Sequence, residues 1–241
     1  MTTSLQLFAA GSLKRAFIPL CQQFSAETGI PVEVSFGSAG LLRERIEAGA
    51  SCHLFASANT AHPQVLLQRG QALSVQSFAF NRLNLTARKT PETEHDDWLS
   101  LLANPALRLG TSTPGCDPSG DYTWQLFERL EQRLPGIGLK QRAIKLVGGR
   151  DTLTVPEGQI ASAWLIRNNY TDLFIGYAHY AQALDNSDDL RMLNIPDADN
   201  PRCEYQLALL SKAAETLAAY IVAKEGQRFL AQAGFLPLDG K

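Results

Sequence analysis

The sequence predicts an α/β fold with two lobes, in which each lobe is a mainly parallel sheet flanked by helices. Three observations support this prediction. Strand-like and helix-like segments alternate along the chain from Leu5 onward. A strand followed by a Gly-Ser turn and a helix occurs twice near the beginning, at Gly11-Ser12 and at Gly37-Ser38. A second set of alternating segments follows a long strand-like stretch. Such alternation is typical of parallel sheets covered by helices.

The first lobe begins with a strand over Leu5–Ala10 and a helix that Gly11-Ser12 opens and Gly29 ends, because apolar residues recur there with the helical period. The same reasoning predicts a strand over residues 31–36, a helix after Gly37-Ser38, a short strand over residues 53–57 and a helix that ends at Gly70. These segments form one compact α/β lobe.

A strand-like stretch over residues 77–88 is long enough to serve two sheets, so we place the lobe boundary near residue 80. Residues 1–80 with 203–241 then form lobe 1, and residues 81–202 form lobe 2. We expect both C-terminal helices to pack on lobe 1. The elements predicted from residue 107 onward are strands over 107–111, Leu173–Tyr177, 190–195 and 203–210, and helices over 121–134, 157–168, 218–221 and 226–233.

Composition excludes several classes of function. The net charge of -2 and the lack of a Lys/Arg cluster argue against nucleic-acid or anionic-membrane partners. No apolar run is long enough to span a bilayer, and the first residues lack the pattern of an export signal. Because Leu5 already begins a core strand, we expect the mature form of an exported protein, with an added Met and a periplasmic or other extracytoplasmic location.

The four cysteines are scattered and form no C-x-x-C pair, which argues against a zinc or iron–sulfur site. We expect buried thiols, although an even number in an exported protein leaves one or two disulfides open. The residues are Cys21, Cys52, Cys116 and Cys203.

Two of the predicted turns, at Gly11-Ser12 and at Ser38-Ala39, place a hydroxyl and backbone amides at a helix start after a strand. Helix N-termini carry unpaired donors and a positive partial charge, so two of them at the carboxyl edge of one sheet can hold an anion. A third such element is the loop from Asp117 to Gly120, where Ser119 is predicted as the N-cap. The alternative is that these serines are plain N-caps and the glycines only permit tight turns.

A catalytic function is not predicted, because Ser38 lies in Gly-Ser-Ala-Gly and not in the G-x-S-x-G pattern of a nucleophile elbow. The four histidines, His53, His62, His95 and His179, also lack metal-ligand spacing. An enzyme would need residues that converge from distant parts of the chain. Of the histidines, His179 is the one expected near a cleft.

The motifs taken together resemble those of the molybdate-binding proteins of ABC importers, which are class II periplasmic binding proteins. The resemblance covers essentially the whole chain and implies a type II periplasmic-binding-protein-like fold with the ligand cleft between the lobes. The motifs are Ala9-Ala10-Gly11-Ser12-Leu13, Phe36-Gly37-Ser38-Ala39-Gly40-Leu41, Phe55-Ala56-Ser57-Ala58-Asn59, Asp117-Pro118-Ser119-Gly120, Gly176-Tyr177, and residues 223–230 before Gly234-Phe235.

The resemblance implies ligand contacts from the first two turns, a loop of the second lobe, a later helix start and a tyrosine. The matching residues are Gly11, Ser12, Ser38, Ala39, Asp117, Ser119, Gln159 and Tyr177. The Asp-Pro-Ser-Gly loop is closer to the archaeal-type tungstate and molybdate binders, in which loop carboxylates can ligate the metal centre directly. Asp117 is the candidate for that role, but we favour a tetrahedral anion held by hydrogen bonds, without direct metal coordination. Arg150 could also reach the anion, although it is more typical of a solvated loop charge.

The predicted function is therefore an extracytoplasmic substrate-binding protein that captures molybdate or tungstate and delivers it to an ABC importer permease. It would act as a monomer, need no cofactor and trap its ligand by hinge closure near residues 80 and 200. The alternatives are a receptor for sulfate, phosphate or a small organic anion, and a detached ligand-sensing domain. A sensor would need a helix-turn-helix segment, and none precedes Leu5.

Overall fold

The computed structural model describes residues 4–238, which form two compact units. The first unit comprises the chain up to Asn81 together with the chain from Cys203 onward, and the second comprises Arg82–Arg202. The chain therefore leaves the first unit once and returns to it once. Among the described residues, no helix combines the length and the apolar character that a membrane crossing requires.

The elements are numbered in chain order. The strands are β1 (Leu5–Ala10), β2 (Val32–Gly37), β3 (Leu54–Ser57), β4 (Ser74–Asn81), β5 (Leu83–Arg88), β6 (Leu109–Ser112), β7 (Ile144–Val147), β8 (Leu173–Tyr177), β9 (Leu190–Asn194) and β10 (Cys203–Leu209). The helices are α1 (Lys14–Thr28), α2 (Ala39–Glu47), α3 (Ala61–Gln68), α4 (Trp98–Ala103), α5 (Pro118–Arg133), α6 (Leu139–Arg142), α7 (Ala161–Arg167), α8 (Ala181–Leu184), α9 (Glu215–Val222) and α10 (Lys224–Gln232). Single 3-10 turns cover Gly11–Leu13, Ala178–Tyr180 and Lys212–Ala214.

The sheet of the first unit has the order β2-β1-β3-β10-β4. Strand β1 is parallel to both β2 and β3, whereas β10 is antiparallel to both β3 and β4. The carboxyl ends of β1, β2 and β3 therefore lie at one edge of this sheet, which we call the first carboxyl edge. Helices α9 and α10 belong to the first unit, where α10 packs on α1.

The core of the first unit forms because β1 and α1 both bury apolar side chains. Every residue of β1 except Gln6 is buried. Helix α1 buries Phe17, Leu20 and Phe24, which are spaced three and four residues apart and so share one face. The helix ends at Gly29, as predicted, because Gly29 adopts the left-handed conformation (φ 72°) and its amide donates to the Ser25 carbonyl.

The sheet of the second unit repeats this arrangement with the order β7-β6-β8-β5-β9. Strand β6 is parallel to β7 and β8, and β5 is antiparallel to β8 and β9. Both sheets are therefore mixed, with two parallel and two antiparallel pairings each, where the sequence indicated mainly parallel sheets. The carboxyl ends of β6, β7 and β8 lie together and form the second carboxyl edge.

The predicted long strand over residues 77–88 is two strands that belong to different sheets, β4 and β5, with Arg82 between them. Strand β7 was not predicted, because four residues that include Lys145 give too short an apolar pattern. The short helices α4, α6 and α8 were missed for the same reason.

All four cysteines are free, so the structure contains neither of the disulfides that the sequence left open. Cys21 and Cys203 are buried, and burial raises the pKa of Cys21 to about 12 and that of Cys203 well above its ordinary value. These thiols stay protonated at neutral pH and act as small apolar side chains.

His62, at the start of α3, makes the stability of the fold depend on pH. The side chain is 5% exposed, and both ring nitrogens lack hydrogen-bond partners among the described residues. Burial lowers the pKa of His62 from 6.5 to about 4; the charge of Arg43 on α2 adds to this effect, and that of Glu44 opposes it. The folded protein therefore holds a neutral imidazole under conditions where the unfolded chain binds a proton.

We expect the free energy of unfolding to fall as the pH decreases from about 6.5 to about 4, with the full loss present below that range. The loss attributable to His62 is on the order of 3 kcal/mol, at about 1.4 kcal/mol per pKa unit. Urea unfolding at several pH values would measure it. His62→Gln should flatten the profile, whereas the control His95→Gln, which removes an exposed histidine, should leave it unchanged. Parallel profiles for wild type and His62→Gln would contradict the assignment.

Candidate functional site

The first carboxyl edge brings two of the predicted turns together. In the parallel pair of β1 and β2, Ala10 lies opposite Gly37. The 3-10 turn at Gly11–Leu13 and the start of α2 at Ser38 come next along the two strands, so they are neighbours at this edge. Adjacent turns therefore carry the four residues that were predicted as one half of the site, which are Gly11, Ser12, Ser38 and Ala39.

Ser38 occupies the N-cap position of α2 with an extended backbone (φ -65°, ψ 127°), but its hydroxyl makes no capping hydrogen bond. Its carbonyl accepts from the amide of Leu42 at 3.0 Å, as the first bond of the helix. A serine at this position normally satisfies an amide of the first turn. Since Ser38 makes no such bond, its hydroxyl does not satisfy the amides at the start of α2, and both kinds of donor can serve a bound anion.

Ser12 forms a hydrogen bond with a tyrosine of the core. Its hydroxyl lies 3.1 Å from the hydroxyl of Tyr205, a distance at which either group can donate. Tyr205 is fully buried in β10, which runs antiparallel beside β3. Sequence reasoning missed Tyr205, because 193 residues separate it from Ser12 and nothing in its local pattern marks it as part of a site.

At the second carboxyl edge, in the loop between β6 and α5, the predicted N-cap residue is wrong. The N-cap of α5 is Asp117 and not Ser119, because Pro118, which has no amide proton, fits the first helical position. One carboxylate oxygen of Asp117 accepts from the Ser119 amide at 3.1 Å, and the other accepts from the Ser112 hydroxyl at 2.6 Å. Ser119 lies buried in the first turn of α5.

Burial raises the pKa of Asp117, while the hydrogen bonds from Ser112 and the Ser119 amide oppose that rise. Both carboxylate oxygens of Asp117 are thus already engaged within the second unit. This geometry favours a structural role for Asp117, in which it fixes the start of α5, over direct ligation of a metal centre. Among residues 4–238 no group of three or more His, Cys, Asp or Glu side chains is arranged to hold a metal ion.

The backbone of the loop after β7 approaches the Asp117 carboxylate closely. A Cβ on Gly148 would lie 2.6 Å from Asp117 Oδ2 and 2.6 Å from Ser112 Oγ, and Gly148 has a φ of +79°. The neighbouring Gly149 donates its amide to Thr152 Oγ1 at 2.9 Å. Two successive glycines after a strand were the available signal for this close approach. Arg150, the residue of this loop that the sequence suggested for anion contact, has an exposed side chain.

Two further predicted residues lie elsewhere in the second unit. Tyr177 ends β8, next to β6 in the sheet, and is buried with its ring 6.0 Å from that of His179. Gln159 is exposed in a turn, where its amide donates to the Pro156 carbonyl at 3.1 Å. Tyr177 therefore shares the second carboxyl edge with Ser119.

The helix predicted over residues 157–168 begins only at Ala161, with Ile160 as its N-cap. The reason is Gly158, whose φ of +79° is incompatible with a right-handed helix. Gln159 thus precedes the helix start that was assigned to it.

The sequence has clear relatives. The family model described as bacterial extracellular solute-binding protein matches residues 5–236. An uncharacterized protein of Pasteurella multocida is 44% identical over 239 residues, which cover 98% of this chain and 99% of that protein. The molybdate-binding protein ModA of Mycobacterium bovis is 26% identical over 239 residues, which cover 96% of this chain and 84% of that protein.

Solved structures show the same architecture. The periplasmic molybdate-binding protein of Azotobacter vinelandii matches with a TM-score of 0.77 at 20% identity, covering 98% of this chain and 100% of that one. The sulfate-binding protein SubI of Mycobacterium tuberculosis matches with a TM-score of 0.73 at 18% identity, covering 98% and 88%. At such low identities the likeness describes the fold and does not identify a ligand.

Proposed function

Because the chain belongs to the bacterial extracellular solute-binding protein family, we propose that it captures a tetrahedral oxyanion, molybdate or tungstate, for delivery to an ABC importer. Membership makes the chain a solute-binding protein and not an enzyme. The predicted type II periplasmic-binding-protein fold is confirmed by the structural match to the Azotobacter protein. The identity of the ligand, the residues that contact it, the location and the partner are the parts that we propose.

The observation that carries the proposal is the pairing of Ala10 with Gly37, which sets the turns at Ser12 and Ser38 side by side. These turns offer hydroxyl and amide donors at two helix starts, and donors alone suit an anion that has only acceptor oxygens. The Ser38 hydroxyl makes no capping hydrogen bond, which supports anion binding over the plain N-cap alternative.

We propose Gly11, Ser12, Ser38 and Ala39 as the ligand contacts of the first unit. In the second unit we propose Ser119 and Tyr177, with Asp117 holding the loop that presents Ser119. Gln159 stays a prediction from the resemblance alone, since it is exposed and precedes the start of α7. The Asp117 carboxylate already accepts hydrogen bonds from the Ser112 hydroxyl and the Ser119 amide. We therefore favour an anion that is bound through its own oxygens, without coordination of its metal centre by Asp117.

Support for molybdate or tungstate comes from the sequence motifs and from the molybdate-binding relative that is 26% identical over nearly the whole chain. The competing ligand is sulfate, since the fold does not distinguish between the two: a sulfate-binding protein and a molybdate-binding protein both share it. We further propose a periplasmic or other extracytoplasmic location and a permease partner, in keeping with the description of the family. A monomeric state is also proposed, from the sequence resemblance alone.

Thermal unfolding and calorimetry with molybdate, tungstate, sulfate and phosphate test the proposal. Molybdate and tungstate should raise the free energy of unfolding by about 2.7 kcal/mol at 100 times their dissociation constants. Sulfate should need a much higher concentration for the same shift. Stabilisation by sulfate or phosphate without any by molybdate or tungstate would overturn the choice of ligand, and no response to any oxyanion would overturn the class.

A further inference from the structure

The chain passes between the two units twice, through one outgoing and one returning segment. The outgoing segment joins β4 to β5 through Arg82, and the returning segment runs from β9 to β10. In the sheet of the first unit, Asn81 at the end of β4 is paired with Cys203 at the start of β10. The second unit holds the same two segments together by a different means, which is a buried side-chain amide.

That amide belongs to Asn200, which is 8% exposed. Its Oδ1 accepts from the Leu83 amide at 2.9 Å, and its Nδ2 donates to the Leu83 carbonyl at 2.8 Å and to the Ile195 carbonyl at 3.2 Å. Strand β9 pairs with β5 only from Asn84 to Arg88, so the Asn200 side chain serves as the strand partner of Leu83. We call this pair of bonds to Leu83 the clasp. It fixes the outgoing segment to the returning segment three residues before β10 begins.

The residue before Asn200 connects the clasp to α5. Arg133, in the last turn of α5, binds the Asp199 carboxylate through both terminal nitrogens, at 2.6 and 3.1 Å. Arg129, one turn earlier, donates to the Asp199 carbonyl at 3.2 Å. A two-pronged bond from arginine to a carboxylate that is mostly buried fixes direction as well as distance. The opposite end of α5 carries Ser119, so the helix joins a proposed ligand contact to the clasp.

We propose that Asn200 is a positioning residue that makes the two connecting segments move together and thereby slows release of the ligand. This inference rests on the proposed function, but not on which oxyanion is bound. Because α5 is a rigid element, a displacement at its start is passed to Asp199 and Asn200, and from Asn200 to Leu83. Without the clasp, the two segments change conformation independently, and the states that release the ligand become more populated. Asn200 acts on the ligand only through these contacts.

The test compares Asn200→Ala with Thr93→Ala in the full chain, using molybdate and sulfate as probes. Thr93 is a matched control, because it is another buried polar side chain of the second unit, 2% exposed, and it hydrogen-bonds the backbone of Arg88 and Thr90. In stopped-flow measurements, Asn200→Ala should speed dissociation of both anions about tenfold and leave the ratio of their affinities unchanged. Thr93→Ala should lower the stability without changing the dissociation rate.

Hydrogen exchange of the protein without ligand tests the clasp itself. Asn200→Ala should accelerate exchange of the Leu83 amide about tenfold relative to that of Leu85 in the same strand, whereas Thr93→Ala should not. If Asn200→Ala fails to fold, Asn200→Asp keeps the acceptor for the Leu83 amide and removes the donor to the Leu83 carbonyl. That variant should also speed dissociation.

An unchanged dissociation rate in the Asn200 variants would overturn the inference and leave the proposed function standing. The same holds for equal acceleration by Thr93→Ala, for unchanged exchange at Leu83, and for a changed ratio of affinities, which would make Asn200 a ligand contact. A wild-type protein that binds none of the oxyanions would overturn the proposed function and the effect on release with it. The exchange rate of the Leu83 amide would then still decide whether the clasp holds the two segments.

Discussion

Ser38→Ala is expected to weaken molybdate binding by roughly 10- to 100-fold while leaving the folded state almost as stable as before. A hydrogen bond to a charged ligand contributes about 1.5–3 kcal/mol, and each 1.4 kcal/mol is a factor of about ten in affinity. The stability should hold because the Ser38 hydroxyl makes no capping bond in the free protein. Calorimetric titration and urea unfolding of the same preparations give the two quantities.

This pair of measurements separates the proposal from the plain N-cap alternative. A capping serine that is replaced by alanine typically costs about 1 kcal/mol of stability and has no reason to affect ligand affinity. Ser74→Ala is the matched control, because Ser74 is an exposed serine at the start of β4, at the opposite edge of the same sheet. A stability loss near 1 kcal/mol with unchanged affinity would assign Ser38 to capping alone.

Gly148→Ala should destabilise the second unit by about 2–4 kcal/mol and weaken anion binding with it. The added methyl would lie 2.6 Å from both Asp117 Oδ2 and Ser112 Oγ, in a backbone conformation with φ +79° that already disfavours alanine. Relief of that contact requires the Ser112–Asp117 hydrogen bond to open. The start of α5, where Asp117 caps the amide of Ser119, would then shift.

The control for this variant is Gly115→Ala in the neighbouring loop. Gly115 has the same φ of +79°, but a Cβ there would meet nothing within 4 Å. It should therefore cost only the backbone strain, about 1 kcal/mol. Equal losses for the two variants in chemical unfolding would show that the contact with Asp117 has no energetic consequence.

The arrangement of the first unit could be predicted because local patterns determine it. Strand β1 and its following turn were placed correctly from the period of apolar residues and the Gly-Ser pair, and parallel strands bring successive turns to one edge. The mixed character of the sheets was not predicted, since β10 returns as an antiparallel neighbour of β3 from the far end of the chain.

The remaining errors and omissions each have a physical cause. Ser119 was assigned as a cap because Asp and Ser are both good caps, and the preference of proline for the first helical position decides between them. A glycine with positive φ at Gly158 delayed the helix that was expected to begin at residue 157. Tyr205 and Gly148 act through contacts between residues far apart in the chain, which periodicity does not report.

The most direct test of the central claim is a titration with molybdate that is followed by the backbone amide resonances of the full chain. If the adjacent turns of the first carboxyl edge hold the oxyanion, saturable shifts should be largest at the amides of Gly11, Ser12, Ala39 and Gly40. Ser38→Ala should raise the molybdate concentration at which these shifts are half complete. Saturable binding that leaves these amides unmoved would contradict the account.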